Sequence, residues 1–171
     1  MPIILLVLLF AASLFSPIAG EPIIHIESDS QESITLPFTP EELRVDEVSE
    51  KKMLESVNTE RRKAGVSELV MDEGLIEVAR KHSHDMWERQ YFAHENPDGE
   101  NAVHRMLEGE VDFARAGENL ALTKSVERAH EGLMDSPGHK RNILDPKFGR
   151  IGIGVVDGGV YGKMFTQNFA D

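Results

Sequence analysis

The sequence predicts an α+β domain in which helices come first and a largely antiparallel sheet comes last. Apolar residues recur at helical spacing in three segments before residue 135, which is the periodicity of amphipathic helices. Near the C-terminus the pattern changes to two strand-like runs, "IGIGVV" from Ile151 and "VYGKMFTQNF" from Val160. The triplet Asp157-Gly158-Gly159 between these runs is typical of a hairpin loop. This order of elements favours helices packed on a sheet.

Each helix has a start or a stop signal. Gly65 is expected to end the first helix, and Asp72 is expected to cap the second. The third carries an apolar face that includes Val126, Ala129 and Leu133. The predicted elements are helices over 48–63, 72–90 and 125–134 and an extended piece over 113–122.

The first 46 residues divide into a leader and a spacer. Residues 1–20 are almost wholly apolar up to Phe15 and end in Ala19-Gly20, which predicts a secretory signal peptide, with an uncleaved membrane anchor as the alternative. Residues 21–46 are rich in acids, Ser and Pro and predict an acidic linker, in which Thr39-Pro40-Glu41-Glu42 resembles the start of a short helix. Residues 47–171 are then the folded domain.

Composition excludes several classes of function. The chain has 171 residues, which favours one folded domain, and a net charge of −12 with a pI near 5.0. That charge repels nucleic acid phosphates and anionic lipid, so neither is expected as a partner. There is no cysteine, which rules out disulfides and thiolate chemistry.

Two histidines and one acid are the candidate site residues. His94 precedes the turn signal Asn96-Pro97-Asp98-Gly99, and His139 follows Ser-Pro-Gly. Glu118 lies in the apolar stretch "AGENLA", where a carboxylate is either buried and paired or part of a site. Imidazoles and a carboxylate can bind a divalent transition metal or act as acid and base. From spacing alone, histidines that simply hydrogen-bond in loops remain the favoured interpretation.

Other polar residues have simpler explanations. His82 and His130 lie on apolar helix faces and are interpreted as core or boundary residues. Glu131 lies on the charged face of its helix, where it is expected to be solvated. Ser136 is not in a G-x-S-x-G elbow, and a serine before Pro-Gly is ordinary in turns.

Six motifs in order resemble the CAP superfamily, which is named for cysteine-rich secretory proteins, insect venom allergens and plant pathogenesis-related proteins. The resemblance runs from about Leu54 to Phe169 and is to the bacterial and archaeal branch. It implies a three-layer α-β-α sandwich. The motifs are "VNTERRKAGVSEL" (57–69), "FAHENPDG" (92–99), "AGENLA" (116–121), "MDSPGHKRNIL" (134–144), "FGRIGIGVV" (148–156) and "FTQNF" (165–169).

The resemblance also implies a site. Family members often display two His and two Glu in a central cleft, and several bind zinc or another divalent ion there. By motif, His94 and His139 match the histidines and Glu118 matches one acid. Ser136 stands where the second acid is expected, so Ser136, Asp135 or a water would complete an open His-Glu-His cleft.

Three functions follow as hypotheses. The first is a secreted, non-enzymatic binding module whose cleft takes a lipid, a peptide or a cell-envelope fragment. The second is a metal-dependent hydrolase of peptides, with Glu118 as the base. The third is a structural domain of the cell envelope, which an uncleaved leader would favour.

Overall fold

The computed structural model describes residues 32–171 and, for the backbone alone, residues 24–26. The predicted leader, residues 1–20, lies outside the described residues. Helices and strands are interspersed along the described residues, with three short strands first and two consecutive helices before the last two strands. The helices are Glu47–Lys63 (α1), Glu73–Glu88 (α2), Ala102–Glu108 (α3), Val126–Asp135 (α4) and Pro137–Leu144 (α5). The strands are Ile24–Ile26 (β1), Ile34–Thr35 (β2), Arg44–Val45 (β3), Val70–Met71 (β4), Tyr91–Phe92 (β5), Ala116–Thr123 (β6), Arg150–Asp157 (β7) and Lys163–Ala170 (β8).

The main sheet is centred on the hairpin of β7 and β8. In the described part of the chain its strands lie in the order β1-β6-β8-β7-β3, and β4 pairs with the other end of β7. All of these pairings are antiparallel except that of β4 with β7. Strands β2 and β5 form a separate antiparallel pair. The predicted, mostly antiparallel sheet is confirmed.

Helices cover both faces of this sheet and complete the three-layer α-β-α sandwich. The side chains of Ile151, Ile153 and Val155 pack with α1, α4 and α5 in one core cluster. Alternate residues belong to the opposite face, where Val156 packs with Met86 and Trp87 of α2. Because successive side chains of a strand point to opposite faces, one strand serves both cores. Among the described residues, no helix is long and apolar enough to span a membrane.

Two glycines let α2 approach the sheet closely. A Cβ at Gly152 would lie 2.0 Å from the carbonyl carbon of Leu75, and one at Gly154 would lie 2.3 Å from that of Ala79. Ser83 of α2 donates a hydrogen bond to the carbonyl of Gly154 at 3.0 Å. The pattern "IGIGVV" therefore places isoleucine on one face and backbone contact on the other.

Side-chain caps start the helices where the sequence predicts. The carboxylate of Asp72 accepts from the amide of Leu75 at 3.0 Å, and Ser125 caps α4. The second helix ends at Glu88, two residues before the predicted end. The structure also contains α3 and α5, which the apolar periodicity did not indicate.

Part of the segment predicted as a linker packs on the domain. Leu36 is buried, and its amide donates to the carbonyl of Gln90 at 2.9 Å. Residues 39–43 are not helical, and Thr39 instead accepts a hydrogen bond from the side chain of Gln90 at 2.6 Å. Although this segment is acidic overall, it contains a few apolar residues, among them Leu36, that pack against α2. Residues 32–46 are thus mostly exposed, but Leu36 and Thr39 attach this segment to the domain.

The loop of the β7–β8 hairpin is longer than the predicted triplet. Strand β7 continues to Asp157, and residues 158–162 form the loop, which includes a 3₁₀ turn at Gly159–Tyr161. Gly159 and Gly162 have φ of +65° and +103°, a region that favours glycine. The amide of Gly158 donates to the carbonyl of Gly162 at 2.8 Å and closes the loop.

Candidate functional site

Both carboxylate oxygens of Glu118 are hydrogen-bonded at the start of β6. The Nδ1 of His94 lies 2.8 Å from Oε1, and the Nη2 of Arg105 lies 2.8 Å from Oε2. A carboxylate can only accept, so Nδ1 of His94 carries the proton and donates it. The side chain of Glu118 is 3% exposed and that of Arg105 is 9% exposed. We call His94, Glu118 and Arg105 the polar cluster.

The charge of Arg105 keeps Glu118 ionised. Burial alone would raise the pKa of Glu118, but Arg105, His82 and the hydrogen bond from His94 outweigh it and lower that pKa to about 2. Burial in turn lowers the pKa of His82 to about 4, so His82 is neutral at pH 7. At that pH the charge of Arg105 is therefore the main compensation for Glu118.

Arg105 also holds the loop that carries His94. Its Nη1 donates to the carbonyl of His94 at 3.0 Å and to that of Glu100 at 2.6 Å. Between them, the side chain of Asn96 accepts from the amides of Asp98 and Glu100 and forms the predicted turn. Arg105 thus connects the loop to Glu118 through one guanidinium group.

Ala93, the residue before His94, is held by a hydrogen bond from His82 of α2. Nε2 of His82 lies 3.0 Å from the carbonyl oxygen of Ala93 and donates to it. His82 is fully buried, which confirms its interpretation as a core residue. The hydroxyl of Tyr91 donates to Asp85 beside it, and burial raises the pKa of Tyr91. The backbone on both sides of His94 is therefore anchored.

His139 lies in a helix rather than on a turn. Ser136 is the N-cap of α5, Pro137 is its first residue, and the Oγ of Ser136 accepts from the amide of His139 at 3.4 Å. Pro-Gly therefore begins a helix here, because proline at the first helical position needs no hydrogen-bond partner for its nitrogen. His139 is fully buried, and Asp135 is exposed at the end of α4.

Consecutive residues of β6 connect the polar cluster to α5. Asn119 donates to the carbonyl of His139 at 3.2 Å and to the side chain of Gln167 at 3.0 Å. Asn142 of α5 donates to the carbonyl of Glu118 at 3.2 Å and to the side chain of Asn119 at 2.9 Å. The motif "GEN" thus links both histidine-bearing segments to the sheet.

The candidate site differs in two ways from an open three-ligand metal cleft. His94, Glu118 and His139 are 9%, 5% and 0% exposed, so they form buried rather than open positions. Within the part of the chain that the structure describes, no group of three or more His, Cys, Asp or Glu is arranged to hold a metal ion. Both oxygens of Glu118 already accept hydrogen bonds, from His94 and Arg105. Glu118 is therefore placed to orient the His94 ring rather than to bind a metal ion itself.

An opening beside α2 and α3 reaches Arg105, the one member of the polar cluster that lines it. This groove has a volume of about 700 Å³. Arg105 lies in its wall, and its other polar lining includes Arg80, Lys81, Asp85 and Glu100. We call it the α2–α3 groove. Its size is that of a small-ligand site.

The comparison with family models identifies the fold. The model of the CAP family, described as the cysteine-rich secretory protein family, matches residues 54–169. This chain belongs to the CAP family. Its CAP domain has no cysteine, in contrast to the family's descriptive name.

Relatives of this CAP domain are longer proteins. The uncharacterized protein YkwD of Bacillus subtilis is 39% identical over 121 residues, which are 70% of this chain and 46% of that protein. The uncharacterized membrane protein YlbC of the same species is 37% identical over 127 residues, which are 74% of this chain and 35% of that protein. The chain therefore spans less than half the length of these relatives.

Solved structures agree with the architecture. An extracellular protein containing an SCP domain from Bacillus anthracis aligns with a TM-score of 0.66 and 32% identity, over 73% of this chain and 41% of that one. An outer surface protein from Borrelia burgdorferi aligns with a TM-score of 0.70 and 19% identity, over 75% of this chain and 97% of that one. At that identity the second likeness concerns the fold alone.

Proposed function

We propose that this CAP domain is an exported binding module that holds its ligand without changing it chemically. The observation that carries the proposal is the double engagement of Glu118. Its oxygens accept from His94 and Arg105, and its pKa is about 2. A general base works best with a pKa near the working pH and within reach of the proton it takes. The pKa of Glu118 lies far below the neutral range, and both of its oxygens already accept hydrogen bonds.

The hydrolase alternative needs an acid that this cluster lacks. Ser136 stands at the position of the second acid, and its hydroxyl caps α5. Asp135 is exposed at the end of α4. With Glu118 engaged, neither residue supplies a base beside His94. Binding is therefore the better-supported function.

A divalent ion bound here would be held by imidazoles rather than by Glu118, whose two oxygens already accept hydrogen bonds. Histidines that bind metals usually donate their second ring nitrogen to a carboxylate, which fixes the ring and its tautomer. His94 donates Nδ1–H to Glu118 in this way, so Nε2 is its coordinating nitrogen. His94 and His139 would hold the ion, and Zn²⁺ suits such ligands. When bound, the ion would supply a positive charge that attracts an anionic ligand group.

The α2–α3 groove favours a polar ligand. Its lining carries both positive and negative side chains, among them Arg80, Lys81, Asp85 and Glu88. Such a surface suits a peptide or a polar cell-envelope fragment better than a lipid chain, whose burial needs apolar walls. The acidic net charge disfavours nucleic acid.

Export is supported by the leader and by similar proteins. Residues 1–20 have the composition of a signal peptide, and solved structures with this fold are described as an extracellular protein and an outer surface protein. N-terminal sequencing of the protein produced in a secreting bacterial host tests this. We expect a mature chain that begins at Glu21. A chain that keeps Met1 and sediments with membranes would support the envelope-anchored alternative.

A cleavage assay tests the absence of catalysis. The full chain is incubated with Zn²⁺ and a mixture of unlabelled peptides, and products are identified by mass spectrometry. We expect the same products as from Glu118→Gln, which is the background of the preparation. Cleavage by the wild type that Glu118→Gln abolishes would establish the hydrolase instead.

A further inference from the structure

A second groove lies at the other end of the sheet. It has a volume of about 870 Å³ and is formed by residues 41–48 together with residues 157–161. We call it the β3 groove. Asp157 pairs with Lys163 at this end of β8, whereas Glu118 pairs with Asn168. Five residues of strand separate these positions, or about 17 Å. The β3 groove is therefore distinct from the polar cluster.

The β3 groove concentrates exposed apolar side chains. Of the eight large apolar residues that are exposed in the described part of the chain, four line it: Val45, Val48, Val160 and Tyr161. Val48 and Val160 are 77% and 81% exposed. Single exposed apolar residues are ordinary, but a group of them around one concavity is typical of an interaction surface.

The loop that presents Val160 and Tyr161 is ordered by hydrogen bonds and a ring contact. Three backbone hydrogen bonds within residues 158–162 hold it, and the amide of Gly159 donates to the side chain of Asp157 at 2.8 Å. The ring of Tyr161 stacks on Phe38 with centroids 4.5 Å apart and planes 4° apart. A surface that is already ordered loses little entropy when a partner binds.

The rim of the β3 groove is acidic. Five carboxylates and one arginine line it: Glu41, Glu42, Asp46, Glu47, Asp157 and Arg44. Arg44 pairs with Glu42, Lys163 pairs with Asp46 and Asp157, and Arg80 lies 3.6 Å from Glu47. The carboxylates still outnumber these three cations. The groove therefore attracts a cationic partner and repels a second copy of itself and anionic lipid.

We propose that the β3 groove docks a cationic, amphipathic segment of a partner protein. Apolar side chains of the segment bury Val48 and Val160, and its Lys or Arg side chains meet the carboxylates of the rim. The apolar contact supplies most of the affinity, and the charges supply orientation and rate of association. Val48 and Val160 do not line the α2–α3 groove, although Val45 lines both grooves.

Calorimetry on the full chain tests the proposal. The probe is a ten-residue peptide of alternating lysine and leucine with blocked ends. We expect saturable binding that Val48→Ser/Val160→Ser weakens at least about tenfold, because burying a valine is worth about that factor. Both side chains are exposed in the structure, so the variant keeps its fold. Glu41→Gln/Glu47→Gln is expected to weaken binding severalfold.

Matched controls separate the groove from general charge attraction. Val70 and Leu107 are 67% and 61% exposed and lie outside the β3 groove, so Val70→Ser/Leu107→Ser should leave binding unchanged. An all-lysine peptide and a peptide of alternating glutamate and leucine should bind weakly. Absent binding, equal loss in the control variant, or equal affinity of either control peptide would overturn the proposal. So would self-association in sedimentation that Val48→Ser/Val160→Ser abolishes, because the groove would then join two copies of this chain.

Discussion

At the scale of single residues, the charge of Glu118 depends on Arg105. A buried carboxylate is costly unless a cation and hydrogen bonds compensate it. Here one guanidinium supplies the charge and two further hydrogen bonds to the loop of His94. The same group that keeps Glu118 ionised also positions the imidazole beside it. Removal of Arg105 should therefore disturb both stability and the orientation of His94.

The first prediction concerns Arg105→Met. The change leaves Glu118 buried without its cation, so the free energy of unfolding should fall by about 3–5 kcal/mol. Urea denaturation at pH 7 measures it. The control is Arg62→Met, which breaks an exposed pair with Glu68 and should cost less than about 1 kcal/mol. If both variants lose the same free energy of unfolding, the buried Arg105–Glu118 pair contributes no more to stability than an exposed ion pair does.

The second prediction concerns pH. The folded pKa of Glu118 is about 2, below its ordinary 4.5, so the unfolded chain takes up the proton first as pH falls. Its stabilising contribution is complete above pH 4.5 and is lost between 4.5 and 2. His82 has a folded pKa of about 4 against an ordinary 6.5, so stability also declines as pH falls from 6.5 to 4.

His82→Gln separates the two pH windows. Glutamine keeps a side-chain N–H donor near the carbonyl of Ala93 but does not titrate. The unfolding free energy of this variant should be flatter than that of the wild type between pH 6.5 and 4, and both should fall below 4.5. Urea denaturation across this range measures the slopes. Parallel curves over the whole range would refute the assignment to His82.

The sequence identified the residues of the site better than their roles. His94 and Glu118 are recognisable because a turn signal and an acid in an apolar stretch are local features. Arg105 is not recognisable from the sequence. It lies in a seven-residue helix, and only the tertiary fold brings that helix next to β6. Its apolar stretch predicts that Glu118 is paired or belongs to a site, and only the fold supplies its partner. Because Glu118 accepts hydrogen bonds from His94 and Arg105, we interpret it as a residue that orients His94 rather than as a metal ligand.

At the scale of elements, the close contact between α2 and the sheet depends on two glycines, which have no side chain. Gly152 and Gly154 lie directly under the backbone of α2. Packing this close leaves no room for a methyl group, because both partners are backbone and cannot move away separately. The helix that anchors His82 is therefore placed by glycine.

The third prediction is that Gly152→Ala lowers the free energy of unfolding by about 3 kcal/mol or more. Its methyl group would overlap the carbonyl of Leu75. Gly149→Ala is the matched control, because a Cβ there meets nothing within 4 Å. That control should change stability by less than about 0.5 kcal/mol. Thermal or urea unfolding compares them, and a neutral Gly152→Ala would mean that α2 can shift away from the sheet.

Arg61 joins α1 to the segment between α5 and β7. Its buried guanidinium donates to the carbonyls of Ser67, Ile143, Asp145 and Phe148 at 2.6–3.0 Å. Burial lowers the pKa of Arg61, and the charge of Asp145 opposes that change. The motif "NTERRKAG" thus contains one structural and one exposed arginine side by side.

The fourth prediction uses that pair. Arg61→Met orphans buried carbonyl oxygens and should cost about 3 kcal/mol or more. Arg62→Met removes a neighbouring, exposed arginine of the same helix and should cost less than about 1 kcal/mol. The sequence alone does not tell which arginine is buried, so a urea comparison is informative. Equal effects would contradict the hydrogen-bonding role of Arg61.

The elements that the sequence predicted are those with long periodic patterns. Helices α1, α2 and α4 and the β7–β8 hairpin have clear apolar spacing and caps. Helices α3 and α5 have only seven and eight residues, too few for a period to stand out. Strands β2 and β3 have two residues each, so their pairing is decided by contacts distant in sequence.

At the scale of the whole molecule, the CAP domain is stabilised by core packing and by buried side-chain hydrogen bonds rather than by disulfides. It contains no cysteine, and its sheet is covered by a core on each face. Glu118 and Asn119, neighbours on β6, tie the two histidine-bearing segments to this frame. We therefore infer that this frame orients the imidazole of His94 for binding and holds Glu118 as an ionised hydrogen-bond acceptor rather than as a general base.

Calorimetric titration of the full chain with Zn²⁺ tests this role of the polar cluster. We expect saturable binding that His94→Ala/His139→Ala abolishes and that Glu118→Gln weakens by about 10–100-fold, since an orienting carboxylate tunes a metal site without ligating it. His84→Ala/His104→Ala, two histidines outside the cluster, is the matched control and should bind as the wild type does. If the wild type does not bind Zn²⁺, or if His94→Ala/His139→Ala binds it equally well, these imidazoles do not form a metal site.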